Sequence, residues 1–433
     1  MLSRRNFMWL TGAAAGLSVA PVSAQRGRGG EAAAGPVPSS IAAVTSMRNL
    51  AKPITADERK ARLEKARRLM TEQKIDAIIL AGGTSLNYFT GIRWGNSERL
   101  TAVVIPKVGN PFIVTPAFEE DRTREQLAGG PVEHTDVAIW QEDESPFERV
   151  ATGLKERGIV TGRVGIEETS KFVFADSIAG AAPAMKVVSA TPIVAGCRMI
   201  KEPHELELMR VASQATLKCY EAVFKALQPG MTQNSVSSLI SAGYARLGFQ
   251  GFASIQVGEY TALPHGSITP QTIREGTIIM IDDGCTVEGY QSDITRTFVL
   301  GKATDKMKKV FDIVHQAQTA ALKAARPGVA LESIDAAGRK VVVDNGYGPG
   351  FKYFTHRLGH GMGMDGHEWP YLVKNNMFGW DKALTMKPGM VFSDEPGIYI
   401  KGEFGVRLED DMHVTENGAE LFTPQSPSIE EPF

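Results

Sequence analysis

Side chains that could bind metal ions and transfer protons are concentrated in five segments in the second half of the chain. The segments are 264–266, 281–284, 292–297, 356–367, and the acidic pair 394–397 with 407–410. Carboxylates and imidazoles bind divalent cations and also move protons during hydrolysis. The three cysteines are far apart and have no CxxC spacing, which disfavours a thiolate zinc site. Any metal would therefore be bound through oxygen and imidazole nitrogen.

The first acidic pair is predicted to lie on a hairpin. One apolar strand ends at Asp282, and a second strand begins after Asp293. A turn centred on Val287 and Glu288 would place Asp282 directly opposite Asp293. Residues that face each other across an antiparallel pair have Cβ atoms about 5 Å apart, so the two carboxylates would be close neighbours.

The second acidic pair repeats this pattern. A hairpin centred on Gly402 would place Glu395 opposite Glu409. Like charges that face each other destabilise a sheet unless a counter-charge is present. Two divalent cations would balance the four carboxylates, and a bridging hydroxide with neutral imidazoles would complete a two-metal hydrolytic site. The oxygen-rich donor set favours Mn, with Co, Zn or Fe as alternatives.

Each segment alone also has a structural interpretation. Asp282 after an apolar strand is typical of a turn residue, and Glu395 begins a Glu-Pro-Gly sequence that is common in turns. His356 and His360 could form a helical zinc pair. The glycines between residues 359 and 366 disfavour a helix and indicate backbone packed close to a ligand. All five segments together are better explained by one metal centre.

At these motifs the sequence resembles the M24 family of pita-bread metallopeptidases, in its aminopeptidase P and prolidase branch. The resemblance covers residues 57–425. It is carried by LPHG, MIDDG, GYQSDITRTF, HRLGHGMGMDGHE, DEPGIYI and VRLEDD, and more weakly by LNYFTGI in the first half. It implies an α/β (α+β) fold, with a creatinase-like N-terminal domain at 56–196, a pita-bread catalytic domain at 197–425 and a C-terminal tail at 426–433.

The resemblance also implies a role for each site residue. The metal ligands would be Asp282, Asp293, His360, Glu395 and Glu409. Glu395 would in addition be catalytic, through proton transfer. His265 and His367 would be catalytic and would contact the scissile peptide, whereas His356 would line the pocket for proline. Arg407 would support a ligand carboxylate and contribute to substrate binding.

The implied activity is hydrolysis of the peptide bond before proline, by an Xaa-Pro aminopeptidase or an Xaa-Pro dipeptidase with two divalent ions per chain. The family also suggests a homodimer. One alternative is a metal-free creatinase-like amidinohydrolase or a binding module, which the complete set of ligands disfavours. The other is a non-peptide hydrolase or lyase offshoot of the same fold, which stays open because metal ligands do not define a substrate.

The first 24 residues are predicted to form a twin-arginine signal peptide. Arg4 and Arg5 precede a short apolar stretch that ends before the small residues 22–24. This order is typical of an export signal, and the stretch is too short for a membrane span. We therefore expect a periplasmic or secreted protein without a stable span after cleavage. Residues 25–55, rich in Gly, Ala, Pro and Ser, are predicted to form a flexible linker.

The overall composition is that of a globular protein of about two domains. The 433 residues are 43% hydrophobic and 22% charged, with a formal net charge of −2. A nearly balanced chain has no electrostatic reason to bind nucleic acid or an anionic membrane. Hydrophobic periodicity predicts helices at 57–73, 232–247, 304–325 and 331–345, and a long helix from Pro203. The domain boundary is expected near 196–200.

Overall fold

Helices and strands alternate in the first half of the chain, and strands dominate the second half. The structure is a computed structural model that describes residues 37–433, so the predicted signal peptide lies outside the described residues. The helices are α1 Ser39–Ala42, α2 Ala56–Gln73, α3 Thr84–Thr90, α4 Glu120–Leu127, α5 Pro146–Glu156, α6 Phe172–Ala181, α7 Thr191–Arg198, α8 Pro203–Phe224, α9 Gln233–Leu247, α10 Asp305–Ala324 and α11 Leu331–Asp344. The strands are β1 Ala77–Ala81, β2 Ala102–Pro106, β3 Phe112–Pro116, β4 Asp136–Trp140, β5 Gly162–Ile166, β6 Met185–Ser189, β7 Gln250–Gly251, β8 Ser254–Val257, β9 Ile278–Asp282, β10 Cys285–Val287, β11 Tyr290–Gln291, β12 Arg296–Val299, β13 Gly359–Gly361, β14 Glu368–Leu372, β15 Val391–Asp394, β16 Gly397–Ile400, β17 Phe404–Arg407, β18 Asp410–Val414 and β19 Ala419–Leu421.

A six-stranded mixed sheet forms the centre of the N-terminal domain, in the order β4-β3-β2-β1-β5-β6. β1 is buried along its whole length. Ile78 and Leu80 pack into one apolar cluster, whereas Ala77 and Ile79 pack into another. Because successive side chains of a strand point to opposite faces, both faces of this sheet are covered, which explains the continuous apolar sequence of β1. The predicted α/β architecture is confirmed.

Two helices begin where local chemistry predicts a start. α2 follows Thr55, whose side chain accepts from the Glu58 N–H while the Glu58 carboxylate accepts from the Thr55 N–H. α8 begins at Pro203 and has the same reciprocal arrangement between Glu202 and Glu205. These contacts satisfy N–H groups that have no partner within the helix.

The catalytic domain contains several small sheets that meet around one cavity. β12-β9-β8 and β11-β10-β7 form two three-stranded sheets, and β14-β13-β15-β18-β19 forms a five-stranded sheet. β16 and β17 form a separate two-stranded ladder. α8 packs against β10 and β11, and α10 packs against α11 and β15. The helices thus support the strands from outside, and the mixed α/β pita-bread expectation is confirmed.

The two domains share buried contacts. One apolar cluster contains Leu63 and Met70 of α2 together with Tyr220 of α8. Across the same boundary, Arg62 and Glu205 form a buried ion pair of 3.2 Å. The N-terminal domain therefore packs directly against the domain that carries the acidic and histidine segments. No helix among residues 37–433 combines the length and apolar character needed to cross a membrane.

Two segments that were expected to lie outside the two domains pack against the fold. From residue 38 onward the expected linker packs against α8 and α9, with Ile41 0% and Met47 5% exposed. The expected C-terminal tail is also packed, because Ile429 is buried and accepts from the Val299 N–H at 2.9 Å. The prediction of a flexible linker was therefore wrong from residue 38 onward, because apolar side chains such as Ile41 and Met47 are buried against the rest of the fold.

Candidate active site

The hairpin that carries Glu395 and Glu409 keeps one register along its whole length. Asp394 pairs with Asp410 where β15 meets β18, and Gly397 pairs with Arg407 where β16 meets β17. Both ladders give the same register, so Glu395 lies opposite Glu409 in the gap between them. The register predicted from the turn at Gly402 is confirmed.

The gap in this hairpin joins the two glutamates to other strands. Pro396 has no N–H to donate to a ladder. The Glu395 N–H donates to the Leu358 carbonyl at 3.0 Å, and the Glu409 N–H donates to the Thr295 carbonyl at 3.2 Å. Where the ladder is interrupted, the N–H groups of both glutamates therefore bind neighbouring segments of the site instead of each other's strand.

The hairpin that carries Asp282 and Asp293 has a different register from the predicted one. Val287 pairs with Tyr290, which leaves Glu288 and Gly289 as the two turn residues. Their φ angles are 49° and 95°, left-handed values that a two-residue hairpin turn requires and that a β-branched residue such as Val287 avoids. The prediction that centred the turn on Val287 and Glu288 was therefore wrong.

As a consequence Thr295, not Asp293, faces Asp282. Ile281 pairs with Arg296, which puts Thr295 opposite Asp282 in the next position. The Thr295 hydroxyl lies 2.5 Å from Asp282 Oδ1 and 2.6 Å from Glu409 Oε2. Its single proton can be donated to either carboxylate, so Thr295 links one acidic residue of each hairpin.

The five residues expected as ligands nevertheless come together. Donor atoms of Asp282, Asp293 and Glu409 lie within 4.8 Å of one another, and so do those of His360, Glu395 and Glu409. Asp293 and His360 also form such a group with His367. Carboxylate oxygens with imidazole nitrogen fit divalent ions such as Mn, Co or Zn. Within residues 37–433, the groups share members, because Asp293, His360 and Glu409 each belong to two of them.

His360 is oriented as a ligand requires. Its Nδ1 lies 3.2 Å from the Gly361 carbonyl, so the ring proton belongs on Nδ1 and the lone pair on Nε2. Nε2 is 3.4 Å from Glu395 Oε1 and 3.7 Å from Asp293 Oδ2. The imidazole therefore presents its free nitrogen to the carboxylates.

The glycines around His360 are explained by strand packing. His360 lies on β13 and not on a helix, as the glycine content predicted. A Cβ on Gly359 would lie 2.0 Å from the Ser393 carbonyl oxygen, and one on Gly361 would lie 2.4 Å from the Glu368 carbonyl oxygen. These glycines allow neighbouring backbones to approach closely. The expectation that they pack against a ligand was wrong for these two positions.

His356 and His367 line the same cavity but have different environments. His356 has both ring nitrogens engaged, at 2.7 Å from the Arg357 carbonyl and 2.7 Å from the Tyr399 hydroxyl. His367 is exposed and stacks on His360, with ring centroids 3.7 Å apart. Arg357 donates to His367 Nδ1 at 3.2 Å, which leaves the His367 proton on Nε2.

His265 and Arg407 also border the cavity. His265 is exposed on the loop after the short 3-10 helix Gly258–Ala262. Arg407 is buried and contacts the Asp282 carboxylate, the Thr295 hydroxyl at 3.1 Å and the Tyr399 hydroxyl at 2.9 Å. Most of its N–H groups therefore hold other site residues.

The cavity has a volume of about 590 Å³ and brings the predicted residues into one wall. Sequence reasoning missed Thr295, Tyr399, Arg357 and Asp411. Asp411 is fully buried and accepts from the Asp293 N–H at 3.2 Å and from the Ser213 hydroxyl at 2.7 Å. Strand alternation could have identified Asp411, because it lies two residues after Glu409 and hence on the same face.

Burial controls the ionisation of the carboxylates. Burial and the Asp282 charge raise the pKa of Asp293 well above its usual range. Burial and the Asp293 charge raise the pKa of Glu409 in the same way. Burial raises the pKa of Glu395 to about 7, although Arg407 opposes this shift. Burial also disfavours ionised Asp282, but the charge of Arg407 together with hydrogen bonds, among them those from the Thr295 hydroxyl and the Asp283 N–H, lowers the pKa of Asp282. Crowded carboxylates of this kind become ionised when a cation binds among them.

The fold and the donor set define the class of this protein. Residues 207–416 match Metallopeptidase family M24, and residues 62–200 match the Creatinase/Prolidase N-terminal domain. The Xaa-Pro dipeptidase of Lactobacillus helveticus is 30% identical over 83% of this chain and 96% of its own length. The protein is therefore a metallopeptidase and belongs to family M24.

Solved structures of dipeptidases have the same fold. Dipeptidase PepE from Mycobacterium ulcerans is 31% identical, with a TM-score of 0.80 over 88% of this chain and 99% of that chain. The Xaa-Pro dipeptidase from Bacillus anthracis is 29% identical, with a TM-score of 0.72 over 84% of this chain and 98% of that chain. The similarity thus covers both domains.

Proposed function

We propose that this protein is a dinuclear-metal Xaa-Pro dipeptidase, which hydrolyses the peptide bond before a C-terminal proline. The observation that carries the proposal is that donor atoms from two hairpins and β13 form overlapping groups of three residues, with the atoms of each group within 4.8 Å of one another. The names of the relatives supply the substrate class, because M24 dipeptidases among them act on Xaa-Pro.

The proposed ligands are Asp282, Asp293, His360, Glu395 and Glu409. Asp293 and Glu409 would be shared between two divalent ions, as the family resemblance implies, because each belongs to two donor groups and a carboxylate, unlike the His360 ring, has two oxygens to offer. Ions bound there would polarise the peptide carbonyl and make a water molecule more acidic. Thr295 and Arg407 would keep the Asp282 carboxylate in place through the contacts described above.

Proton movement is assigned to Glu395. Its carboxylate lies at the cavity and is held by the Ser393 hydroxyl at 3.2 Å. A glutamate in this position can take a proton from the attacking water and deliver it to the leaving nitrogen. The proline nitrogen needs such a proton because it leaves as a neutral amine and not as an amide anion.

The histidines are assigned to the substrate. His367 carries its proton on Nε2, so it can donate to an oxygen on which negative charge develops, and the exposed His265 can approach the same peptide. Burial lowers the pKa of His356 to about 3, so this ring is neutral. Both of its nitrogens are engaged, so His356 offers carbon atoms to the proline ring.

Arg357 is proposed to bind the free carboxylate of a dipeptide. It lines the cavity, and among the ion pairs of the described residues it has no carboxylate partner. Its guanidinium lies 4.3 Å above the Tyr371 ring and touches His367. A C-terminal carboxylate next to proline would thus meet a guanidinium beside a proposed catalytic histidine, and such charge-assisted bonds are strong and directional.

Peptides of defined length test this proposal. Metal-reconstituted enzyme is expected to cleave Xaa-Pro faster than Xaa-Ala and faster than Xaa-Pro-amide. Arg357→Gln should raise KM for Xaa-Pro about tenfold or more, because a charged hydrogen bond contributes roughly 1.5–3 kcal/mol, and should leave KM for the amide unchanged. Arg326→Gln, an exposed arginine after α10, is the control. Equal rates for Xaa-Ala and Xaa-Pro would refute the assignment.

We also propose export through the twin-arginine route, on the basis of Arg4 and Arg5 and the apolar stretch after them. That route transports folded proteins, which suits an enzyme whose metal depends on the ions available when the site forms. Replacement of both arginines by lysine should leave the precursor in the cell. Unchanged export of that variant would contradict the proposal.

A further inference from the structure

A left-handed turn forms part of the cavity wall. Asn375, Asn376, Met377 and Phe378 have φ angles of 58°, 45°, 50° and 59°. A run of left-handed residues is unfavourable for amino acids with a Cβ, because the Cβ approaches the following carbonyl oxygen. Such strained backbone persists only where the surrounding structure holds it, and it is found preferentially at functional sites.

The turn is held by the side chain of Asn376, which is 2% exposed. Its Oδ1 accepts from the Tyr371 N–H at 2.8 Å, and its Nδ2 donates to the Asp381 carbonyl at 3.1 Å. Gly379 follows, and a Cβ there would lie 2.4 Å from the Trp369 ring. The turn is therefore fixed to β14, the strand that begins directly after His367.

This conformation directs Met377 at Arg357. Met377 lines the cavity and is 44% exposed, so it lies at the rim. Its sulfur accepts from Arg357 Nη1 at 2.9 Å. Phe378, the next residue, is 74% exposed and is not part of the cavity wall. Of the exposed apolar side chains of the turn, Met377 is thus the one that contacts the guanidinium.

We propose that Met377 is a specificity-determining residue that closes the cavity beyond Arg357 and restricts the substrate to dipeptides. This inference rests on the proposed role of Arg357. A residue after proline would replace the carboxylate by an amide and would extend past the guanidinium, into the space of the Met377 side chain. Asn376 fixes the backbone of the turn. A longer substrate could therefore enter this space only by displacing the Met377 side chain and breaking its contact with Arg357.

The test is the selectivity ratio, kcat/KM for Xaa-Pro-Yaa divided by kcat/KM for Xaa-Pro, with the same Xaa and metal-reconstituted protein. Met377→Ala should raise this ratio about tenfold, the scale at which a few methylene groups in a pocket discriminate substrates. Asn376→Ala should raise it in the same direction, because the turn loses two hydrogen bonds. Phe378→Ala is the matched control and should leave it unchanged.

Each outcome has one meaning. A raised ratio in Met377→Ala with an unchanged ratio in Phe378→Ala supports the inference. A wild-type preference for dipeptides that Met377→Ala leaves intact, in a variant with wild-type melting temperature, overturns this inference alone. Equal cleavage of both peptides by the wild type overturns both the dipeptidase assignment and the role of Met377.

Discussion

One hairpin of this protein carries facing carboxylates on both of its faces. Glu395 and Glu409 lie at the cavity, whereas Asp394 and Asp410, their immediate neighbours in sequence, point to the opposite face and are 0% exposed. The backbone register is the same for both pairs. What differs is the surrounding chemistry.

The face that carries Asp394 and Asp410 is called the closed face, and there the protein supplies a counter-charge of its own. Arg296, which is 1% exposed, donates to Asp410 at 2.7 Å, and Gln318 and Thr423 donate at 3.0 and 2.8 Å. Asp394 has no hydrogen-bond partner for either oxygen among the described residues. Burial and the Asp410 charge raise the pKa of Asp394 well above its usual range.

The face that carries Glu395 and Glu409 is called the open face, and there the Arg407 guanidinium binds a different carboxylate. Arg407 contacts Asp282. Among the described residues, the hydrogen bonds to the Glu395 and Glu409 carboxylates come from the Ser393 and Thr295 hydroxyls, and the His360 imidazole lies 3.4 Å from Glu395. On the closed face one aspartate is thus paired with Arg296 and burial favours the protonated form of the other, whereas the open face leaves its carboxylates for ions from solution. Substitutions on the open face should therefore alter activity, and substitutions on the closed face should alter stability.

Removal of metal should have the largest effect. Chelation is expected to abolish peptidase activity, and Mn, Co or Zn should restore it, with up to two ions bound per chain. The melting temperature should fall on chelation, because a ligand that binds only the folded state stabilises that state. Full activity in a preparation that elemental analysis finds metal-free would contradict the assignment of the open face.

Glu395→Gln should lower turnover by about 10²–10⁴ even at saturating metal, the usual contribution of a general acid–base group. In metal-free protein the variant should melt no lower than the wild type, because one like charge is removed. Glu403→Gln is the control, since Glu403 lies at the hairpin turn and pairs with Lys306 on the surface. Near wild-type turnover of Glu395→Gln with two ions bound would show that the open face is assigned incorrectly.

The closed face offers a matched pair of substitutions. Asp410→Asn leaves Arg296 buried without a counter-charge, which typically costs about 3–5 kcal/mol of unfolding free energy. Asp394→Asn removes a carboxylate that has no partner, so stability should stay unchanged or rise. Chemical denaturation of metal-free protein measures both. Equal destabilisation by the two substitutions would mean that the ion pair with Arg296 does not make Asp410 more important for stability than Asp394.

The two acidic hairpins also differ in how well their sequences predict them. Gly402 sits at the centre of a short turn between apolar strands, so the Glu395 and Glu409 register could be derived. The turn was predicted one residue too early, because Val287 was placed in it instead of Gly289, although a β-branched residue avoids the left-handed conformation that the turn requires. A shift of the turn by one residue moves the opposing residue by two, from Asp293 to Thr295.

Other parts of the site depend on long-range contacts that could not be predicted from the sequence. Asp293 reaches the ligand group through a hydrogen bond from its N–H to Asp411, which is distant in sequence. Arg357 could be seen in the sequence beside His356, but its lack of a carboxylate partner follows only from packing. Motif residues were thus predictable one by one, whereas their hydrogen-bond partners required the folded chain.

Glu167 of the N-terminal domain extends the comparison to a buried carboxylate outside the proposed metal site, where burial is the main cause of the pKa shift. It is 5% exposed, and its Oε1 has no partner among the described residues. Burial raises the pKa of Glu167 from 4.5 to about 7, and hydrogen bonding from Ser85 and the charge of Arg198 only partly oppose this shift.

The raised pKa of Glu167 predicts how the stability of the protein changes with pH. Below pH 4.5 the carboxyl is protonated in both the folded and the unfolded chain, so it imposes no penalty. Between pH 4.5 and about 7 the unfolded chain releases this proton while the folded chain keeps it, so stability falls across this interval and the loss is complete above pH 7. Glu167→Gln should therefore match the wild type near pH 4.5 and exceed it at pH 8 by on the order of 1–3 kcal/mol, since one pKa unit corresponds to about 1.4 kcal/mol. Glu156→Gln, at an exposed position of α5, should follow the wild type at every pH. The measurement is the unfolding free energy of both proteins across this pH range. A stability gain of Glu167→Gln that is equal at pH 4.5 and pH 8 would contradict the prediction, because a pH-independent gain would come from packing and not from ionisation.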